Sequence, residues 1–284
     1  MGTSTSSSGG KAGSPFDPEW LAPESPLDGA DSDSSDASEG ESGGDGENDS
    51  ANGDDGAGPP SGEDAAYAPS RRFADARMKM AAYMAGGGRE SLRSATKSMV
   101  SKGMGGSRKA ASTMRGTAHA AGALGQFLAS ARDRSDPHVA DWVDRARQAN
   151  LSAEDLILEL VNEVLPDTGS VDDESTRNAG AEALGQLYEL NPDIDIFALT
   201  DEQIHDVIAI TIANDVCNRM DLQLGQTYER LKYDPREIQL YRKDLREYVQ
   251  SEVRVVMERH DATGLDPKRL AREVLQSALE VFAS

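Results

Sequence analysis

The stretch Thr200-Asp-Glu-Gln-Ile-His-Asp-Val-Ile-Ala-Ile-Thr-Ile-Ala-Asn-Asp-Val-Cys-Asn-Arg-Met220 decides the fold class. It opens on Thr-x-x-Gln, in which the hydroxyl caps a backbone N–H three residues on and the glutamine reaches back. Ile204, Val207, Ile208, Thr211, Val216 and Met220 follow at the spacing of one helical face. No other stretch combines helical spacing with so much apolar surface, so this helix is expected at the centre of the fold. The same grammar extends to both sides. Asp136-Pro137, Asp234-Pro235 and Asp266-Pro267 each set a capping carboxylate before a first-turn proline. Ser152-Ala-Glu-Asp155 and Asp234-Pro-Arg-Glu237 are looser capping boxes. Leu156/Leu160/Val164 with Ile157/Val161/Leu165, Ala179/Ala183/Leu187, and Ile238/Tyr241/Leu245/Tyr248/Val249/Val253/Val256 line further helical faces, and Leu270, Val274, Ala278 and Phe282 a last one. No segment alternates like a strand between turn signals. Residues 136–284 read as a helical bundle and the chain as all-α.

Upstream, residues 71–135 change character. They hold 13 bases and 3 acids and are rich in Gly, Met and Ala. Arg77-Met-Lys-Met-Ala-Ala-Tyr-Met84 is helical in propensity and stops at Gly86-Gly87-Gly88. An echo follows 19 residues later, where Met80, Gly86, Gly87 and Arg89 recur as Met99, Gly105, Gly106 and Arg108. The reading is two short basic helices with glycine breaks. A small-residue segment then follows, Gly116-Thr117-Ala118 and Ala121-Gly122-Ala123-Leu124, whose lack of side-chain bulk suits close backbone packing. Arg89, Arg93, Arg108 and Lys109 are candidate contacts to nucleic acid or to an acidic partner. Pairing with the chain's own acidic stretch is the alternative. Gly86-Gly87-Gly88 lacks the Gly-Lys-Ser/Thr ending of a phosphate loop, and the Met, Gly and Ala content with positive charge leaves a membrane-seeking reading open.

Residues 28–70 are the acidic counterpart. Between Asp28 and Ala66 there is no Val, Ile, Leu, Met, Phe, Tyr or Trp. Such a segment has nothing to bury against the entropy of ordering and is expected to be a disordered linker. Its Asp/Ser alternation lacks the glycine and glutamate of a calcium loop. Residues 1–27 form a flexible tip, Met1-Gly-Thr-Ser-Thr-Ser-Ser-Ser-Gly-Gly10, and an anchor, Pro15-Phe16-Asp17-Pro18-Glu19-Trp20. Methionine removal would leave Gly2 with a free α-amine. Such an amine has a pKa of about 7.7–8.0 against about 10.4 for lysine, so at neutral pH it is far more often nucleophilic. From Gly2 to Gly9 the extended chain reaches on the order of 25 Å. The same start also fits an N-myristoylation pattern, although one acyl chain anchors only marginally, and a merely serine-rich disordered terminus is the plainer reading.

No catalytic constellation stands out: no nucleophile elbow, Cys/His pair or His-Glu-x-x-His. Cys217 is the single cysteine, and the four histidines show no metal spacing. No catalytic residue, metal or cofactor is therefore assigned, and the chain is read as a non-enzyme. A net charge of −21 argues against general nucleic-acid binding outside the basic segment. No apolar run reaches the roughly 18 residues of a membrane span, and no signal-peptide core is found, so a cytoplasmic location without a membrane span is expected.

Three stretches together resemble the QatB family of Qat anti-phage defence systems. They are the tip with its anchor, the central Gly86-Gly87-Gly88-Arg89 … Met104-Gly105-Gly106 … Met114-Arg115-Gly116-Thr117-Ala118 … Ala121-Gly122-Ala123-Leu124, and a helical region with Leu165-Pro166, Glu174, Arg177, Leu199 to Glu202, Asn214-Asp215-Val216, Asp221-Leu222 and Gly225. The tip departs in one place, with Gly9-Gly10 where the family usually has Gly-Pro.

The resemblance implies a setting: an ATPase, a relative of 7-cyano-7-deazaguanine synthase, and a TatD-like nuclease encoded alongside. The synthase chemistry activates a deazaguanine carboxylate with ATP, and ammonia attacks the adenylate. A Gly2 amine delivered to that pocket could replace ammonia. Gly2 would then be the modified residue, Thr3 and Ser4 would line the tunnel, and Pro15, Phe16, Pro18 and Trp20 would dock outside it. The competing expectation is an unmodified helical adaptor that bridges the ATPase and nuclease.

Overall fold

Thr200 and Gln203 make the capping box that opens the central helix. The Thr200 hydroxyl accepts the Gln203 N–H at 3.2 Å, and the Gln203 side chain accepts the Thr200 N–H at 2.9 Å. The structure, a computed structural model, describes residues 72–165, 169–231, 233–260 and 266–284. Among these it has ten α-helices and no strand. They are α1 Ala74–Ala82, α2 Gly88–Ser98, α3 Ser107–Thr113, α4 Arg115–Asp133, α5 Pro137–Ala149, α6 Ala153–Val164, α7 Val171–Leu190, α8 Asp201–Leu231, α9 Pro235–Arg259 and α10 Pro267–Ala283. The all-α reading holds.

α8 occupies the middle, packed against α7, α9, α4, α1 and α10. Ile204, Val207, Ile208, Thr211, Val216 and Met220 are all buried, as their spacing requires. Around it one continuous set of buried side chains runs from Phe73 to Phe282, so the basic segment and the later helices share a core. Trp142 of α5 stands edge-on between Phe127 and Phe197, with ring centroids 5.2 and 6.0 Å away, and this fastens α5 to α4 and to the loop before α8.

The 19-residue echo is matched by the positive φ shared by Gly86 and Gly105, whereas the wide turns near them are spaced 16 residues apart. α1 and α2 each end in a wide π turn, Tyr83–Gly87 and Met99–Gly103. Gly86 at φ 96° and Gly105 at φ 79° then reverse the chain, in a region where a side chain would be strained. Tyr241 of α9 braces the first break: its hydroxyl donates to the Met84 carbonyl at 3.0 Å, and its ring stands edge-on to Tyr83.

The small-residue segment also behaves as its composition suggests. A Cβ on Gly122 would lie 2.7 Å from the Lys268 Cα, so α4 and α10 approach backbone to backbone. α4 is thereby wedged between α8 and α10, with α7 on a further side.

Candidate functional site

The densest polar constellation lies inside the fold. Asp215 of α8 is fully buried. Its carboxylate accepts from the Thr117 hydroxyl of α4, from the Ser175 hydroxyl of α7 at 2.6 Å, and from Arg219 Nε one turn along α8 at 2.8 Å. Arg219 turns its Nη1 outward to Asp172 at 2.7 Å. Burial works against the Arg219 charge, but the two carboxylates outweigh it and its pKa is raised. A buried charge pair costs desolvation unless both partners are fully hydrogen-bonded, and here three helices supply the bonds. Fully buried with three donors on it, Asp215 is a structural clamp that joins α4, α7 and α8.

Other family-resemblance residues also hold helices together. Arg177 donates to the Leu165 carbonyl at 3.0 Å, Arg132 to the Leu199 carbonyl at 3.3 Å and to Asp201 at 2.6 Å, and Arg242 pairs with Asp221 at 3.0 Å.

A shallow cleft lies between α7, α8 and α9. Gln186, Asp206, Ala209, Ile210, Ala213, Gln250 and Arg254 enclose about 30 Å³, room for a water molecule rather than a cofactor. Burial raises the Asp206 carboxyl above its usual range, with Arg254 opposing the shift. Cys217 is buried and its thiol is pushed up to about 12 by that burial, the reverse of an activated nucleophile. Among the described residues no group of three or more His, Cys, Asp or Glu could hold a metal, and no helix is long and apolar enough to cross a membrane.

The surface of α2, α3 and the start of α4 is different. Arg89 and Arg93 are exposed and, with Lys97, form an i, i+4, i+8 row along α2. Arg108 and Lys109 are exposed in the first turn of α3, and Arg115 opens α4. None of these six makes an ion pair among the described residues; Lys97 and Arg115 reach only the carbonyls of Ser284 and Ser112. Of the acids in residues 71–135, Asp75 and Asp133 are engaged, and Glu90 in the first turn of α2 makes no ion pair among the described residues. Asp75 takes Lys102 at 2.9 Å and Lys79 at 3.2 Å, and Asp133 takes Arg132 at 2.8 Å. Hydrogen bonds from Lys102, Ser98 and Lys79 hold the Asp75 carboxyl at about 2. α2 and α3 both rest on α10. The four cations singled out in the sequence, Arg89, Arg93, Arg108 and Lys109, are thus all available to solvent on neighbouring helices. Gly2, Thr3, Ser4, Pro15, Phe16, Pro18 and Trp20 lie outside the described residues.

The Asp215 clamp is what the sequence reading missed, and a signal for it existed. Positions 204, 208, 211 and 215 share one face of α8, so a carboxylate at the fourth, with Arg219 a turn beyond, interrupts an apolar row.

Comparison with known proteins agrees with this picture. A family model described as Qat anti-phage system associated protein QatB matches residues 105–282, more than half of the chain. Neither the curated proteins nor the solved structures contain a match. The matched span contains the Asp215 clamp, α3 and α4 with Arg108, Lys109 and Arg115, and all but the last residues of the bundle. The chain belongs to the QatB family of anti-phage defence components.

Proposed function

We propose that this defence component serves as the protein substrate and carrier for a 7-cyano-7-deazaguanine-synthase-like partner, with Gly2 as the acceptor. The partner would activate a deazaguanine carboxylate with ATP, forming an acyl adenylate and releasing pyrophosphate. The neutral Gly2 amine then attacks the acyl carbon, AMP leaves, and the amine proton passes to solvent, so that an amide joins the deazaguanine to the chain. Family membership supports this reading: it sets the chain in a Qat anti-phage system, and the resemblance described above implies a synthase-like partner there. The folded part adds support: the buried Asp215 is committed to holding α4, α7 and α8 together, and among the described residues the cleft beside Asp206 has room for a water molecule only. Thr3 and Ser4 would line the partner's tunnel, and Pro15, Phe16, Pro18 and Trp20 would dock at its mouth, since buried aromatic anchors dominate partner binding.

A plaque assay of the complete system tests the reading. Gly2→Pro, or one extra residue ahead of Gly2, should abolish protection while the chain stays folded. Undiminished protection would refute the substrate role and leave the adaptor between the system's ATPase and TatD-like nuclease. A second reading rests on its own observation, the six exposed cations without acidic partners, which support contact with nucleic acid or an acidic protein surface. It predicts salt-sensitive retention on an oligonucleotide that is lost on neutralising Arg89, Arg93, Arg108 and Lys109.

A further inference from the structure

α2, α3 and the start of α4 carry more positive charge than the folded body answers. Residues 28–70 carry the opposite excess, 13 acids and no base. We infer that in the free protein this acidic segment lies across the α2–α3 face as an intramolecular polyanion, so that the face is occupied until a partner displaces it.

The point of attachment favours this. Phe73 is fully buried, and its ring fills the space that a side chain on Gly103 would need, directly beneath the π turn Met99–Gly103. Asp75, two residues on, is bridged to Lys102 of the same turn. The chain therefore enters the folded body at the turn that ends α2 and leads into α3. Asp64 lies nine residues ahead of Phe73, within about 30 Å of it even when fully extended. A segment tied this close meets the face at an effective concentration in the millimolar range.

The chemistry needs no fitted pocket. Single surface ion pairs contribute little, about 0.2–1 kcal/mol, but many carboxylates sampling six cations add a diffuse and salt-sensitive attraction. α3 and α4 begin with no acid in the first turn, so no neighbouring carboxylate on these helices offsets Arg108, Lys109 and Arg115. The segment's want of large apolar residues suits a charge-only contact. Docking would also draw the tip back toward the body, so a polyanion that competes for the face would release it. This inference rests on the face being anion-receptive and stands whether or not Gly2 is modified.

Carbodiimide coupling of the full chain tests it, because the reagent joins a carboxylate to an amine only when the two are in contact. Lys97 and Lys109 are the reporters on the face, and the Asp75–Lys102 pair is the internal standard. At about 20 mM salt, where the screening length is long, monomeric protein should yield peptides linking Lys97 and Lys109 to acids of residues 28–64. The yield should fall about tenfold at about 500 mM salt, and by a similar factor with Arg89→Gln, Arg93→Gln and Arg108→Gln combined, while the Asp75–Lys102 link persists. The inference is overturned if the standard forms and the face links do not, or if the triple variant leaves their yield unchanged. Links confined to dimers would name a second copy as the occupant and also overturn it, whereas links that appear only after nuclease treatment would show a nucleic acid displacing the segment and so support it.

Discussion

The helices from α5 onward and the helices before α5 begin in opposite ways. Asp136, Ser152, Ser170, Thr200, Asp234 and Asp266 each place a side-chain oxygen on a free N–H at the start of α5 to α10. Asp155, Asp173, Glu202 and Glu237 add acids to first turns, where they complement the helix dipole. None of α1 to α4 has a side-chain cap; α1 and α2 carry Asp75 and Glu90 in their first turns, but α3 and α4 start with bases. One region is built from helices specified by their own sequence. The other is held by packing, through buried Met80, Met99, Met104 and Met114, and tolerates an unfavourable arrangement of surface charge. A local rule broken without structural gain points to a demand made by function. The contrast separates the locally specified scaffold from the surface proposed above to meet partners.

The contrast can be broken first at the clamp. Asp215→Ala would strand the Arg219 charge inside the fold and should cost about 3–5 kcal/mol in urea denaturation. A loss under about 1 kcal/mol would mean that the buried pair does not fasten α4, α7 and α8. Gly122→Ala is next. Its methyl would press on the Lys268 backbone, and overpacking of this kind costs about 1–3 kcal/mol. Thr200→Ala removes a cap from the central helix and should lower stability by about 0.5–2 kcal/mol. Arg108→Glu is the smallest change and the most diagnostic, because its sign reverses. An acid in the first turn of α3 should raise stability by about 0.3–1 kcal/mol while weakening oligonucleotide retention. If Arg108→Glu instead destabilised the protein, the bases of α2 and α3 would belong to the scaffold after all.

Much of the scaffold was legible, because its signals are local. Capping residues and the face Ile204 to Met220 lie within a few turns of one another, and the echo of Gly86 in Gly105 is visible as a spacing before it is seen as two positive φ angles. The clamp was not legible, since the partners of Asp215 come from positions 98 and 40 residues away. Nor does the sequence reveal which bases stay outside. Arg77 counts with the other cations in the composition, yet it is buried, with its Nε on the Gln223 carbonyl at 2.9 Å. Arg93, of the same type, is exposed on the next helix. What separates them is tertiary packing against α8, which no local pattern encodes. The four cations chosen as contacts are exposed because each falls on the solvent side of a short helix whose other side rests on α10 or α1.

The substrate role of Gly2 is tested most directly by the mass of the N-terminal peptide, measured on chain purified from cells carrying the complete system and from cells lacking the synthase-like partner. The account predicts a mass increment equal to one amide-linked deazaguanine acyl group on Gly2, present only with the partner. A Gly2 amine that stays unmodified when the complete system is expressed and protective would contradict it.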